Sequence, residues 1–214
     1  MKVKKIFLVS GKARSGKDTF CQFYIEEAAK KGVLVERLAF ADALKDIASS
    51  VGWNSSKEGE GRLFLIDVGQ ILRGDYELKD GYVISKITGK PTHRDTYSIL
   101  FLFEQLTQMY YPNKDFWADI VIEKVKKSTA RTIIIPDWRF KNEFHAVKKA
   151  MDKKWFFKPD VFSVRILNNR ALQINDPSET ELDNQFFHYG FHNHGDIEAF
   201  RQSVSDFVEG MERQ

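Results

Sequence analysis

The residues best suited to do chemistry form a glycine-rich loop near the amino terminus. Their spacing is G-x-x-x-x-G-K. Two glycines so placed let the backbone turn tightly and bring successive amide N–H groups to phosphate oxygens, and the closing lysine can bridge the β- and γ-phosphates of a nucleotide. The alternative is a strand-to-helix turn with a surface lysine. We expect nucleotide phosphates to contact Gly11, Ala13, Arg14, Ser15, Gly16 and Lys17.

The residue after this loop departs from the usual pattern. Asp18 stands where serine or threonine is common, and Thr19 comes next. A carboxylate beside a triphosphate is repelled unless a divalent cation lies between them. Either Asp18 helps to hold Mg²⁺, directly or through water, or Thr19 takes that role. The alternative is that Asp18 only stabilises the helix N-terminus.

A second group of polar residues follows the apolar stretch 131–135. Asp137 can hold Mg²⁺ or its waters, as an acid after a buried strand does in phosphate-transferring sites, and Arg139 is close enough to contact a transferred phosphate. The alternative is a helix cap at Asp137 and a surface arginine. Asp42 and Lys45 lie in the first turn of another predicted helix, at the same edge of the sheet. The alternative for Lys45 is a solvated surface lysine, which is common at such positions.

These residues need a scaffold, and the hydrophobic pattern supplies one. Apolar strands alternate with amphipathic helices, which predicts an α/β fold with a parallel sheet whose carboxyl ends gather the polar residues. Residues 74–94 are predicted to form an arm or excursion from this fold, such as a hairpin. Strands are predicted at 6–10, 33–39, 131–135, 161–167 and 186–191, and helices at 18–31, 42–51, 63–72, 95–111, 115–128, 142–151 and 196–211.

Composition narrows the functional classes. The 214 residues are 43% hydrophobic and 29% charged, which suits one compact domain with an inserted arm and excludes a disordered chain. A single cysteine excludes an intramolecular disulfide framework, and no apolar run reaches the roughly 18 residues of a membrane span, so we expect a cytoplasmic protein. A net charge of +3 suits an anionic small molecule and argues against a nucleic-acid partner.

Seven segments, in order over nearly the whole chain, resemble the deoxynucleoside monophosphate kinases of large DNA phages. These are adenylate-kinase-like P-loop kinases, and the G-K-D-T spelling is also similar to that of animal-type phosphomevalonate kinases. The resemblance implies a three-layer α/β/α P-loop fold and transfer of the γ-phosphoryl group of ATP, with Mg²⁺, to a deoxynucleoside monophosphate. The segments are GKARSGKDTF, LAFADALKDIA, RLFLIDVGQILR, FWADIV, IIIPDWRFKNE, SETELD and HNHGDIEAF.

The resemblance also implies roles for individual residues. Positions 11–19 would bind ATP, and Lys17, Asp137 and Arg139 would be catalytic. Mg²⁺ would be held by Asp18, Thr19 or Asp137. The acceptor would contact a helical region around 42–111, and a lid-like segment around 168–185 would close over the site. The remaining positions are Asp42, Lys45, Arg62 and Arg73 for the acceptor, Ser178, Glu179 and Glu181 near the lid, and Asn193 and Gly195 before the last helix, where His194 replaces an acid.

Other interpretations stay open. The acceptor could be another phosphorylated metabolite such as phosphomevalonate, a base-modified nucleotide, or a nucleotide within DNA. A nucleotide switch is disfavoured because the stretch starting at Asn113 lacks the aspartate of the N-K-x-D guanine motif. The helix at 95–111 could serve a homodimer. Cys21 is interpreted as a core residue, and His188, His192 and His194 as exposed imidazoles rather than zinc ligands.

Overall fold

The computed structural model describes residues 3–56, 58–92, 96–154, 158–171 and 180–212. Contacts divide the chain into two compact units, Met1–Phe40 with Val121–Gln214 and Ala41–Ile120, and each is described by itself. The elements in chain order are β1 Lys5–Ser10, α1 Lys17–Lys30, β2 Val35–Arg37, α2 Phe40–Ser50, α3 Gly59–Arg73, β3 Tyr76–Lys79, β4 Tyr82–Ser85, α4 Thr96–Met109, α5 Phe116–Lys127, β5 Thr132–Ile135, α6 Lys141–Lys154, β6 Asp160–Leu167, β7 Tyr189–His192 and α7 Ile197–Glu212.

The first unit is built on a five-stranded sheet in the order β2-β5-β1-β6-β7, with every pairing parallel. Strand β1 occupies the centre, and its register places Leu8 opposite Ile135 of β5 and Ser10 opposite Arg165 of β6. All six residues of β1 are buried, as expected for a strand covered on both faces. The predicted α/β fold with a central parallel sheet is confirmed.

Helices cover both faces of this sheet. The connection from β1 through α1 to β2 runs toward one edge, whereas the connection from β5 through α6 to β6 runs toward the other. Parallel strands connect through right-handed crossovers, so α1 and α6 lie on opposite faces. Helix α7 packs beside α1, and α6 packs against β6. The arrangement is the predicted three-layer α/β/α fold.

The core between the sheet and helices α1 and α7 is rich in aromatic rings. The ring of Phe7 lies 5.3 Å from that of Tyr24, 5.4 Å from that of Phe162 and 5.7 Å from that of Phe207, measured between centroids. Aromatic pairs at such distances stabilise a core beyond the area they bury. This cluster fixes the position of α1 against β1, and therefore of the loop that joins them.

Helix α7 begins with a side-chain cap that the sequence predicts. Asp196 Oδ1 accepts hydrogen bonds from the backbone N–H groups of Glu198 (3.0 Å) and Ala199 (3.2 Å). We expect Asp196→Ala to lower the free energy of unfolding by about 1 kcal/mol because two terminal donors lose their acceptor. Asp196→Asn should retain most of the stability, since asparagine caps almost as well. Urea unfolding of the three proteins measures the difference, and equal losses in both variants would contradict the cap.

The second unit contains the predicted excursion as an antiparallel hairpin. Strands β3 and β4 pair with Tyr76 opposite Ser85, and α4 packs against both β4 and α3. The Tyr76 hydroxyl lies 3.3 Å from Asp67 Oδ1 on α3, and the Trp117 indole donates to the Gly69 carbonyl at 3.2 Å. The hairpin prediction is confirmed as far as residue 92, and His93 and Arg94 lie outside the described residues.

Within the portion of the chain that the structure describes, no helix combines the length and the apolar character needed to cross a bilayer.

Candidate functional site

The glycine-rich loop connects the central strand β1 directly to α1. The Ser15 backbone N–H donates to the Lys12 carbonyl at 3.1 Å, and the Phe20 N–H donates to the Gly16 carbonyl at 2.9 Å. Arg14 and Gly16 adopt positive φ angles of 63° and 99°. The chain therefore makes a tight turn before entering the helix, with the first amides of α1 at the carboxyl edge of the sheet, the geometry that binds anions.

Close packing explains why the loop needs glycine at its two fixed positions. A Cβ added to Gly11 would lie 2.7 Å from the Ile166 carbonyl oxygen, and one added to Gly16 would collide with the side-chain amide of Asn193. A side chain at either position would have to displace its neighbours. The loop thus presents bare backbone, and the donor set is one of amide N–H groups suited to phosphate oxygens.

The Lys17 ammonium spans the mouth of this loop. Its Nζ donates to the Gly11 carbonyl at 2.7 Å and to the Lys12 carbonyl at 2.9 Å. The side chain is half-buried and begins at the first residue of α1. A small rotation of its flexible stem would move this charge from the two carbonyls to an anion in the loop.

A carboxylate from another part of the chain joins the loop to strand β6. Asp183 Oδ2 accepts from Lys12 Nζ at 2.7 Å, and its Oδ1 accepts from Arg165 Nη2 at 2.8 Å. Arg165 Nη1 in turn donates to the Ser10 hydroxyl at 3.0 Å. The start of the loop is therefore held to its neighbouring strand by a chain of charge-assisted hydrogen bonds.

This network lowers the pKa of the Asp183 carboxyl. Partial burial raises the pKa of its carboxyl, but hydrogen bonding and charge from Lys12, with a further contribution from Arg165, hold the pKa below its ordinary value. A lowered pKa in the folded state stabilises the protein above the ordinary carboxyl pKa, and this stabilisation is lost as pH falls through the lowered value.

We therefore expect Asp183→Asn to be less stable than the unmodified protein at neutral pH, with a difference that narrows below about pH 4. Urea unfolding across that pH range measures it. The control is Asp206→Asn, because Asp206 lies on the exposed face of α7 and its carboxylate is not bound by Lys12 and Arg165. A stability difference for Asp183→Asn that stays constant with pH would contradict the network.

The predicted magnesium ligands at the start of α1 are accessible. The Asp18 side chain is 87% exposed and lies 3.5 Å from Arg37 Nη2, and α1 has no side-chain hydrogen bond at its N-cap. Asp18 therefore does not cap the helix by a hydrogen bond, although its charge still favours the N-terminus. Thr19 is half-buried. Among the described residues, no group of three His, Cys, Asp or Glu side chains could hold a metal by itself.

Asp137 and Arg139 follow β5, the strand beside β1. Asp137 Oδ1 accepts the Phe40 backbone N–H at 3.1 Å, and Glu143 Oε2 accepts the N–H groups of Arg139 (3.0 Å) and Phe140 (3.1 Å). The backbone here is thus fixed, whereas the Arg139 side chain is exposed. Helix α6 begins at Lys141, and the backbone N–H groups just before it are accepted by Glu143.

The pKa of the Cys21 thiol depends on its burial and on the charges around it. The pKa of the Cys21 thiol is raised to about 12, chiefly by burial, with a contribution from the carboxylates of Asp18 and Asp137 that the cations of Arg37 and Lys17 oppose. The interpretation of Cys21 as a buried core residue is confirmed.

The residues proposed for an acceptor lie in the second unit. Lys45 Nζ is 3.6 Å from Asp42 Oδ1 on α2, Arg73 Nε is 3.2 Å from Asp75 Oδ2 at the end of α3, and Arg62 is exposed on α3. Ser178 and Glu179 lie outside the described residues, as do all of positions 172–179 of the lid-like segment. Glu181 is described, and its Oε1 accepts the Lys141 N–H at 2.9 Å.

Sequence reasoning missed the partners that support the loop. The sequence did not predict the network that joins Lys12, Asp183, Arg165 and Ser10. A usable signal did exist, because Ser10 and Arg165 end adjacent parallel strands, where polar residues of α/β folds gather around a ligand. Asp183 belongs to one of the segments that carried the resemblance.

Comparison with known proteins gives distant structural likenesses. Two structures of the APS kinase of Mycobacterium tuberculosis, one a cysteine-to-alanine mutant and one in complex with AMPPNP and APS, match with TM-scores of 0.45 and 0.48, at 9% identity over 98% of this chain and 99% of the other. A putative plasmid partition protein of Borrelia burgdorferi bound to AMPPNP matches with a TM-score of 0.33, at 11% identity over 99% of this chain and 100% of that one. No family model matches the sequence, and neither does any curated protein.

Proposed function

We propose that this chain is an ATP-dependent phosphotransferase whose donor phosphates bind the loop of residues 11–17. One observation carries the proposal: a glycine-lined turn joins the central strand to α1, and the Lys17 ammonium lies across its mouth, 2.7 Å from the Gly11 carbonyl. The turn offers amide donors and a helix N-terminus for the β- and γ-phosphates. Lys17 would leave the carbonyls to follow the charge of the transferred group.

The residues at this site fit a magnesium ion that phosphate oxygens and water hold for the most part. Asp18 and Asp137 can supply one or two carboxylates, which is the usual protein contribution to Mg²⁺ in phosphoryl transfer. When bound, the ion neutralises charge on the β- and γ-phosphates. Asp18 is exposed enough to turn toward it, and the Asp137 carboxylate is held near the end of β5 by its hydrogen bond from the Phe40 N–H.

The work of the chain is alignment and charge stabilisation. An acceptor phosphate is already anionic, so no strong general base is required. Arg139 is the arginine nearest in sequence to the Asp137 carboxylate and presents an exposed guanidinium. Its role in this proposal is to contact the phosphate oxygens and offset repulsion between donor and acceptor. Closure of the segment around 168–185 would exclude water, which would otherwise hydrolyse ATP.

The acceptor we propose is a deoxynucleoside monophosphate. The support comes from the resemblance of the sequence segments and from the basic side chains of Lys45, Arg62 and Arg73 in the second unit. Guanidinium and ammonium groups there suit a monophosphate dianion. The products would be a deoxynucleoside diphosphate and ADP.

Release of ADP tests this assignment. The protein is supplied with ATP and Mg²⁺ and then with deoxynucleoside monophosphates, ribonucleoside monophosphates, base-modified monophosphates, phosphomevalonate or oligonucleotides, each in a separate reaction. We expect ADP release only with deoxynucleoside monophosphates, at rates well above the reaction without acceptor. Preferential release with phosphomevalonate or an oligonucleotide would replace the proposed acceptor, and release with none of the monophosphates would refute the proposed reaction.

A further inference from the structure

The segment that follows the last strand touches the phosphate loop. Asn193 comes directly after β7, and its backbone N–H donates to the Leu167 carbonyl at the end of β6, at 2.8 Å. Its main chain is thus fixed to the sheet. Its side-chain Nδ2 donates to the Ser15 carbonyl at 3.1 Å, across 178 residues of sequence. The Asn193 residue is half-buried, and its side-chain amide is oriented by the hydrogen bond to Ser15.

This side-chain hydrogen bond sets the direction of one peptide group in the loop. The Ser15 carbonyl and the Gly16 N–H belong to the same planar trans peptide, so they point in opposite directions. Holding the carbonyl toward Asn193 therefore turns the Gly16 N–H away from Asn193. In a turn that binds phosphate through successive amides, this N–H is one of the donors available to a phosphate oxygen.

The same side-chain amide of Asn193 also packs against Gly16. The Asn193 carboxamide lies so close to the Gly16 Cα that a Cβ there would collide with its Nδ2. Gly16 also has a φ of 99°, which other residues rarely adopt. Asn193 thus fills the space behind Gly16, and the loop cannot relax in that direction.

We infer that Asn193 is a positioning residue that aims the Gly16 N–H at the donor phosphates. The inference rests on the proposed function, because it takes the anion in the loop to be the triphosphate of ATP. Asn193 acts through Ser15 and Gly16 and contacts neither substrate in this role. The segment after β7 therefore contributes to phosphate binding.

Binding of ATP and of inorganic tripolyphosphate, each measured by calorimetry, tests this role. Tripolyphosphate lacks the base and sugar and reports on the loop alone. The variants are Asn193→Ala and Asn193→Leu, which both remove the donor while leucine keeps much of the volume. His194→Ala is the matched control, since His194 is exposed beside Asn193 in the same segment. Thermal unfolding of each variant checks that the protein is folded.

We expect both Asn193 variants to weaken ATP and tripolyphosphate binding in parallel, by about 3- to 10-fold, as loss of one neutral hydrogen bond predicts. KM for ATP should rise while KM for the acceptor stays unchanged. His194→Ala should bind both ligands normally. A loss confined to ATP would assign Asn193 to the base and overturn the inference, as would unchanged binding of both ligands. Absence of binding to the unmodified protein would instead refute the proposed donor site itself.

Discussion

Lys17→Ala is expected to reduce turnover at least ~100-fold, as loss of a donor to a charge-bearing transition state does. The ammonium of Lys17 is carried on a flexible stem and can follow negative charge from the donor to the transferred group. Its Nζ donates to the backbone carbonyls of Gly11 and Lys12. Steady-state ADP release with a deoxynucleoside monophosphate measures the effect, and circular dichroism checks the fold.

The matched control is Lys31→Ala, which removes an exposed lysine just after the end of the same helix. This control should retain full activity, because its charge lies at the opposite end of α1 from the loop. If Lys17→Ala turned over like the control, the loop would have no part in the reaction. A rise in KM for ATP with unchanged kcat would instead show that Lys17 binds the ground state and the transition state equally strongly.

Strongly periodic elements could be predicted from the sequence nearly to the residue. The helix predicted at 18–31 is Lys17–Lys30, and the strand predicted at 161–167 is Asp160–Leu167. The edge strand predicted at 33–39 is only Val35–Arg37. Val33, Leu38 and Ala39 are buried without belonging to the strand, so their apolar character reflects burial of the connections rather than strand pairing.

Boundaries without a hydrophobic signal were harder to predict. Helix α3 begins at Gly59, four residues before the amphipathic pattern that predicted it, because its first turn is made of small and charged residues. The strand predicted at 186–191 is Tyr189–His192, and Phe186 is 79% exposed. An exposed aromatic residue is indistinguishable in sequence from a buried one, so tertiary contacts decide such cases.

For the candidate site as well, local features could be predicted from the sequence, whereas long-range contacts could not. The loop could be predicted because its chemistry is that of consecutive backbone amides, which the G-x-x-x-x-G-K spacing alone specifies. The side chains that support the loop could not be predicted, because the contacting residues are far apart in the sequence. Asp183 is 171 residues from Lys12, and Asn193 is 178 residues from Ser15. Only the pairing of β1 with β6, and of β6 with β7, brings these residues to the loop.

Gly16→Ala is expected to abolish detectable ATP binding and to lower the free energy of unfolding by about 1–3 kcal/mol, because two costs coincide. A non-glycine residue at a φ of 99° is strained, and its Cβ would collide with the Asn193 amide. Relief of the collision would move either the Gly16 peptide or the segment after β7, and both movements displace the amide N–H that phosphate would accept.

Gly52→Ala separates these costs, because Gly52 has the same φ of 99° with no heavy atom within 4 Å of its added Cβ. We expect this control to lose only the roughly 1–2 kcal/mol of backbone strain and to bind ATP normally. Calorimetric binding and urea unfolding of both variants provide the comparison. Normal ATP binding by Gly16→Ala would mean that the phosphates do not depend on this peptide, and the donor site would have to be sought elsewhere on the sheet edge.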